Sequence, residues 1–242
     1  MDVDSILDGG IPVGAGITEI CGLPGTGKSQ LCMQLAVTVQ VPSGMSGIGG
    51  HALFIDTEGS FSAERTAMMA TAMSEHVKRR GGDQEHWDYE TILRHIQVIR
   101  VFDHVELLAA VGGLGHYIRV HPLVKLVVID SIAFPFRQAL KSQIAERNAA
   151  LSSIAKSLLH LAARYDLAVV VTNHMTTRLS DQMVVPSLGP SWAHIPSLRL
   201  VLTLDENGRR AVVDKAVSLP SQSAEFCLNN NGLRDCPRDV DR

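Results

Sequence analysis

Three places in this 242-residue sequence have residue types and spacing suited to chemistry on a phosphate ester. Residues 17–30 read ITEICGLPGTGKSQ, which contains Gly22-x-x-x-x-Gly27-Lys28-Ser29. Here a β-type run ending at Cys21 is followed by an apolar helical pattern. Glycines at 22, 25 and 27 are expected to release the backbone from the φ limits that a Cβ imposes. The loop of Gly22, Leu23, Pro24, Gly25, Thr26 and Gly27 can then wrap its backbone N–H groups around phosphate oxygens at the positive end of the helix that Lys28, Ser29 and Gln30 begin. Lys28 supplies a mobile charge for β- and γ-phosphates, and the Ser29 hydroxyl is suited to Mg2+. The second place is Leu126-Val-Val-Ile-Asp130, an apolar run closed by an acid, which sets Asp130 at a strand's carboxyl end as a Walker-B-type carboxylate beside the metal. In the third, Leu53-Phe-Ile-Asp56-Thr57-Glu58-Gly59, Glu58 can orient or deprotonate an attacking water. Together they point to ATP bound with Mg2+ and to its hydrolysis.

These residues need strands to hold them. Apolar, β-branched runs occur at 17–21, 52–56, 96–101, 125–130 and 167–172, as buried parallel strands do. Helical spacing lies between them: Leu31, Leu35 and Val39 form one face, Val105, Leu108, Val111 and Leu114 a second, and Leu151, Ile154, Ala155, Leu158, Leu161 and Ala162 a third. The alternation predicts an α/β fold, a mainly parallel sheet with helices on both faces. After residue 197 the texture changes to short strands at 198–204, 210–215 and 225–228, broken by Asn207-Gly208 and Pro220, which predicts appended antiparallel hairpins. Residues 42–50 and 79–86 read as loops, and residues 1–242 as one domain.

Composition narrows the class. No apolar run approaches the ~20 residues that a bilayer span requires, and the first residues lack the blocks of a signal peptide, so a soluble intracellular protein without membrane contact is expected. The four cysteines, at 21, 32, 227 and 236, show no C-x-x-C spacing and are expected as reduced thiols rather than disulfides or a zinc site. The ten histidines form no metal-binding pair. With a net charge of −3, any nucleic-acid contact must come from a local basic loop.

The segments ITEICGLPGTGKSQ, FIDTEGSF, LVVIDSIAFPFR and VVVTNHMTT, in this order and spacing, resemble the RecA-like recombinases of archaea and eukaryotes. Further segments, LCMQLAV, IAFPFR, TN-x-MTT and SW-x-H, resemble the eukaryotic strand-exchange recombinase paralogues, closest to the C-type. The likeness runs over residues 6–235 and implies a RecA-like P-loop ATPase core. It implies that Lys28 and Ser29 bind phosphates and magnesium, that Glu58 is the catalytic carboxylate and Asp130 the Walker-B acid, and that Arg65 lies against the adenine. It also implies DNA-binding loops at 134–145 and 175–191, with Arg137, Lys141 and Arg178 as the cations for single-stranded DNA. Phe134 and Phe136 can either stack bases or belong to the core. Other recombinase paralogue subunits as partners and a nuclear location follow from the same likeness.

The sequence departs from that pattern at His174, where the family has a glutamine that senses the γ-phosphate. An imidazole still donates a hydrogen bond, but its charge varies with pH. The small helical domain ahead of the ATPase core and the Phe-x-x-Ala linker are not visible, and there is no basic C-terminal tail, so a core fragment is expected. Three functions fit these residues: a DNA-dependent ATPase subunit of a recombination complex, a scaffold in which ATP joins subunits with little hydrolysis, and a helicase motor on the same core.

Overall fold

The computed structural model describes residues 2–81, 87–139, 144–178 and 182–236. A short helix α1 (Asp2–Ile6) leads to strand β1 (Ile17–Gly22) and helix α2 (Lys28–Thr38), followed by β2 (His51–Asp56), α3 (Ala63–Arg79), α4 (Tyr89–Arg94) and β3 (Ile96–Arg100). Next come α5 (His104–Val120), β4 (Val124–Asp130), a single turn α6 (Phe136–Ala139), α7 (Ile144–Tyr165) and β5 (Ala168–Thr177). The chain continues through β6 (Val184–Pro186), α8 (Pro190–Ala193), β7 (Leu198–Asp205), β8 (Gly208–Ala216), β9 (Ser223–Asn229) and β10 (Gly232–Arg234).

The strands form one sheet in the order β10-β9-β8-β7-β1-β5-β4-β2-β3, with β6 paired only to β5. From β7 to β3 every neighbour is parallel, whereas β7 to β10 form an antiparallel extension. This is the mainly parallel sheet with an antiparallel extension that the alternating runs predict, and β6 and β10 are additions that the sequence pattern does not announce. Both are three residues long, too short for a period to appear.

Alternation along the parallel strands divides the core into two faces. Phe54, Val128 and Val170 pack with α2, α3 and α4, while Leu53, Ile55, Val127, Ile129 and Val171 pack with α5 and α7. The α7 face is buried as its spacing predicts. The α5 face differs: its buried residues are Leu107, Val111, Leu114 and Ile118, while Val105 is 60% exposed. Asp103 caps α5, accepting from the N–H groups of Val105 and Glu106, so Val105 lies in the first turn ahead of the buried stripe.

The cysteine expectation needs correction. Cys21 and Cys32 are free and buried, but Cys227 and Cys236 are joined as a disulfide with Cα atoms 5.3 Å apart. The hairpin of β9 and β10 brings them together: Cys227 pairs with Arg234, two residues before Cys236. That proximity is set by strand pairing and is invisible in the spacing of the cysteines alone.

Candidate active site

The carboxyl ends of β1, β5, β4 and β2 lie side by side, Gly22 opposite His174 and Asp56 opposite Asp130. This register gathers four segments that are far apart in the sequence. Gly25 and Gly27 have φ of 80° and 110°, in the region where a side chain is strained. Gly22 does not have a positive φ, contrary to expectation; its requirement is space, because a Cβ there would lie 2.5 Å from Thr26 Oγ1 and 2.7 Å from the Leu202 carbonyl. The crown of the loop, Leu23, Pro24 and Gly25, is exposed, and the Thr26 hydroxyl donates back to the Leu23 carbonyl at 2.9 Å. Gly27 caps α2 without a side-chain partner, so the first amides of the helix face the loop opening beside Ser29 and Gln30.

Lys28 is buried, its Nζ donating to the carbonyls of Gly22 and Leu23 at 2.9 and 3.1 Å. Burial lowers its pKa, and the charges of Asp130 and Glu58 oppose that shift. Asp130 is almost wholly buried and is held from two sides, by Ser60 Oγ donating to Oδ2 at 2.7 Å and by Thr172 Oγ1 donating to Oδ1. Glu58 Oε1 accepts from Ser131 Oγ and meets His174 Nε2, and the same serine hydroxyl lies 3.2 Å from that ring nitrogen. Burial pushes the Glu58 pKa up, but the His174 and Ser131 hydrogen bonds, with the charges of His174 and Lys28, outweigh it and leave the carboxyl below its ordinary value. The carboxylate is therefore the resident form near neutrality.

Two positioning groups escaped the sequence reading. Asp56 accepts from the backbone N–H groups of Glu58, Gly59 and Ser60 at 3.2, 2.8 and 3.1 Å, and Arg100 closes an ion pair with it at 3.0 Å. An acid ahead of a Thr-Glu-Gly turn is the available signal. The second is Thr57, whose hydroxyl donates to the Ser131 carbonyl and accepts from the Ser131 N–H, both at 2.8 Å, across the cis Asp130–Ser131 peptide.

Arg65 reaches the same end of the sheet from α3. Its Nε donates to Gln30 Oε1 at 2.6 Å, and its terminal nitrogens donate to the carbonyls of Asn229, the last residue of β9, and Asn230, in the turn that follows. Among the loop cations, Arg137 is exposed on α6. Arg178 stands where the β5–β6 hairpin leaves the sheet, its N–H donating to the Met183 carbonyl at 2.8 Å. Lys141 lies outside the described residues. Of the two aromatics, Phe136 belongs to the core beside His104, whereas Phe134 is exposed. Among the described residues no helix is long and apolar enough to cross a membrane, and no group of three or more His, Cys, Asp or Glu side chains is arranged for a metal ion.

Residues 1–236 match the family model described as Rad51. The chain is 41% identical to the DNA repair protein RAD51 homolog 3 of Cricetulus griseus, over 96% of this chain and 66% of that protein. It is 37% identical to the RAD51 homolog 3 of Dictyostelium discoideum, over 97% and 64% of the two lengths. To the DNA repair and recombination protein RadA of Metallosphaera sedula it is 34% identical, over 96% and 70%. The chain thus spans about two thirds of the length of these relatives. A family match over residues 1–236, with relatives 34–41% identical along nearly the whole chain, shows that the chain belongs to the Rad51 family.

Proposed function

We propose that this chain is the ATPase core of a homologous-recombination DNA-repair subunit, which binds ATP with Mg2+ at an interface with other recombinase paralogue subunits in the nucleus and contacts single-stranded DNA. The observation that carries the reading is the convergence of Lys28, Asp130, Glu58 and His174 at adjacent strand ends. In this reading the loop from Gly22 to Gly27 wraps the phosphates, Lys28 exchanges its two loop carbonyls for β- and γ-phosphate oxygens, and Arg65 borders the adenine beside Gln30. Arg137, Lys141 and Arg178 serve the DNA phosphates.

The residues present fit magnesium. Mg2+ is normally held by one or two protein oxygens with water and phosphate supplying the rest, which agrees with a serine hydroxyl and one carboxylate rather than an all-protein cage. Ser29 and Asp130 would hold it, and when bound it neutralises charge developing on the phosphates. Glu58 is suited to the water: its recorded side-chain partners meet Oε1, which leaves Oε2 to accept a proton. His174, against Glu58, is in position to register whether a γ-phosphate is present.

The test is ATP binding and turnover of Glu58→Gln, measured with and without single-stranded DNA and a partner subunit. Binding is expected to persist, while turnover falls by about 10²- to 10⁴-fold, the range for loss of a general base. Unchanged turnover would remove Glu58 from the chemistry. Wild-type turnover at the level of the variant under all conditions, with ATP still bound, would favour the assembly scaffold.

A further inference from the structure

Strand β9 packs on the phosphate loop: a Cβ built on Gly27 would lie 3.2 Å from Leu228 Cδ1 and 3.6 Å from Phe226 Cε2. The next residues, Asn229 and Asn230, give Arg65 its two backbone acceptors, and Gln30 supplies the third. Guanidinium N–H groups point outward in the guanidinium plane, so these three bonds fix the tilt of that plane and use its edges rather than its faces. The same hairpin is closed by the Cys227–Cys236 bridge, and both cysteines are partly exposed. Arg234 stands directly opposite Cys227 across the ladder, a cationic neighbour of the kind that favours a thiolate. Cys21 and Cys32 contrast with this pair, since both are buried and burial pushes their thiols far above the ordinary range.

We propose that Cys227 and Cys236 are a thiol–disulfide exchange site, with glutathione disulfide as oxidant, whose closure fixes Arg65 for stacking on the adenine ring. In the exchange, one cysteine thiolate attacks glutathione disulfide and releases one glutathione thiolate. The second cysteine thiolate then displaces the other glutathione and forms the intramolecular S–S bond. The cysteine pair gives up two electrons and two protons, and glutathione disulfide takes them up as two glutathione thiols. Two glutathione thiols reverse the reaction. With the bridge closed, the turn holding Arg65 is tied at both strands; with it open, the hairpin keeps only three ladder pairs, and Arg65 samples more orientations.

The inference rests on the reading that Arg65 borders the adenine, so the experiment compares a ligand with a base and one without. The wild-type protein and Cys227→Ser/Cys236→Ser are equilibrated in oxidised and reduced glutathione buffers. The bridge is mapped by mass spectrometry of non-reduced peptides, and ADP and inorganic tripolyphosphate binding are measured by calorimetry. ADP is expected to bind the bridged wild type about three- to tenfold more tightly than the reduced form, the range for pre-ordering one side chain. Tripolyphosphate should bind both forms alike, and the serine variant should match the reduced protein in either buffer. Equal ADP affinity in the two states, failure of the bridge to form, or a redox effect that survives in the serine variant would each overturn the proposal. Absence of binding by both ligands in every form would remove the nucleotide reading itself, and this inference with it.

Discussion

Glu58 meets His174 and Ser131 through one oxygen, and these contacts outweigh the burial that would otherwise protonate it. Because the folded pKa is lowered, the stability these contacts contribute is complete above the ordinary carboxylate value of 4.5 and is lost as pH falls through the lower folded value. Replacing His174 by alanine removes the strongest of the lowering contacts. His174→Ala is therefore expected to be less stable than the wild type above pH 4.5, by about 1 kcal/mol for one lost hydrogen bond, and to lose less stability on acidification, so that the gap closes as pH falls. Urea midpoints measured from pH 3 to 6 would show it; superimposable acid profiles would mean that the contact does not hold the charge. At this scale the sequence was legible where a motif fixes a residue's neighbours. Lys28 and Asp130 follow from strand–loop–helix and apolar-run spacing. The pairing of Glu58 with His174 depends on strand order across the sheet, which no local window contains.

Strand β2 ends in a turn whose shape depends on Asp56, an acid the sequence reading passed over in favour of Glu58 two residues later. Its carboxylate gathers four backbone N–H groups, of Glu58, Gly59, Ser60 and Phe61, together with Arg100, so removing its charge loosens the segment that aims Glu58. Asp56→Asn should cost about 2 kcal/mol in denaturant unfolding, discounted because Arg100 is partly exposed, and should reduce turnover while ATP binding persists. A variant with wild-type stability and turnover would show that the turn holds its shape by other means. The two loop elements make a separate prediction. Each phosphate contact on single-stranded DNA contributes about 0.7 to the slope of log affinity against log salt, so Arg137→Ala/Arg178→Ala should flatten that slope by about 1.4 and weaken binding at low salt. An unchanged slope would move the DNA contact elsewhere. The five parallel strands β1 to β5 and helices α2, α5 and α7 were legible from their periods, whereas α3 and α4 were not read as helices. The α5 stripe was misread by one turn, since the capping Asp103 starts the helix before its buried face begins.

Across the whole molecule, the two halves of the sheet are joined behind the glycine-rich loop by one buried carboxylate. Glu19 is fully buried on β1 and accepts from Asn173 Nδ2 of β5 at 2.8 Å, from Trp192 Nε1 of α8 at 2.7 Å and from Arg199 Nε of β7 at 2.6 Å. Arg199 also pairs with Asp214 of β8, and Ser187 Oγ donates to the other end of the Asn173 amide. Glu19→Ala leaves the Arg199 charge with one exposed partner and is expected to cost about 3–5 kcal/mol. Denaturant unfolding measures it, and a loss below 1 kcal/mol would mean that water or rearrangement replaces the carboxylate. The sequence reading did not anticipate this group, because an acid inside a β-branched run resembles an edge residue until strands from the far end of the chain close over it.

That closure sets an order in time for a chain made from its N-terminus. The three groups that hydrogen-bond Glu19 follow it by 154, 173 and 180 positions, so β1 and the loop after it have no strand neighbours until β5 and β7 arrive. Until then a buried acid has nothing to be buried against. A nascent chain halted before β7 would already carry Lys28, Glu58, Asp130 and His174 and still lack the partner strand that seats the loop. Under the proposed function, nucleotide is then a ligand of the finished sheet and not a template for its early assembly, and the apolar β1 stays exposed until those strands pair with it.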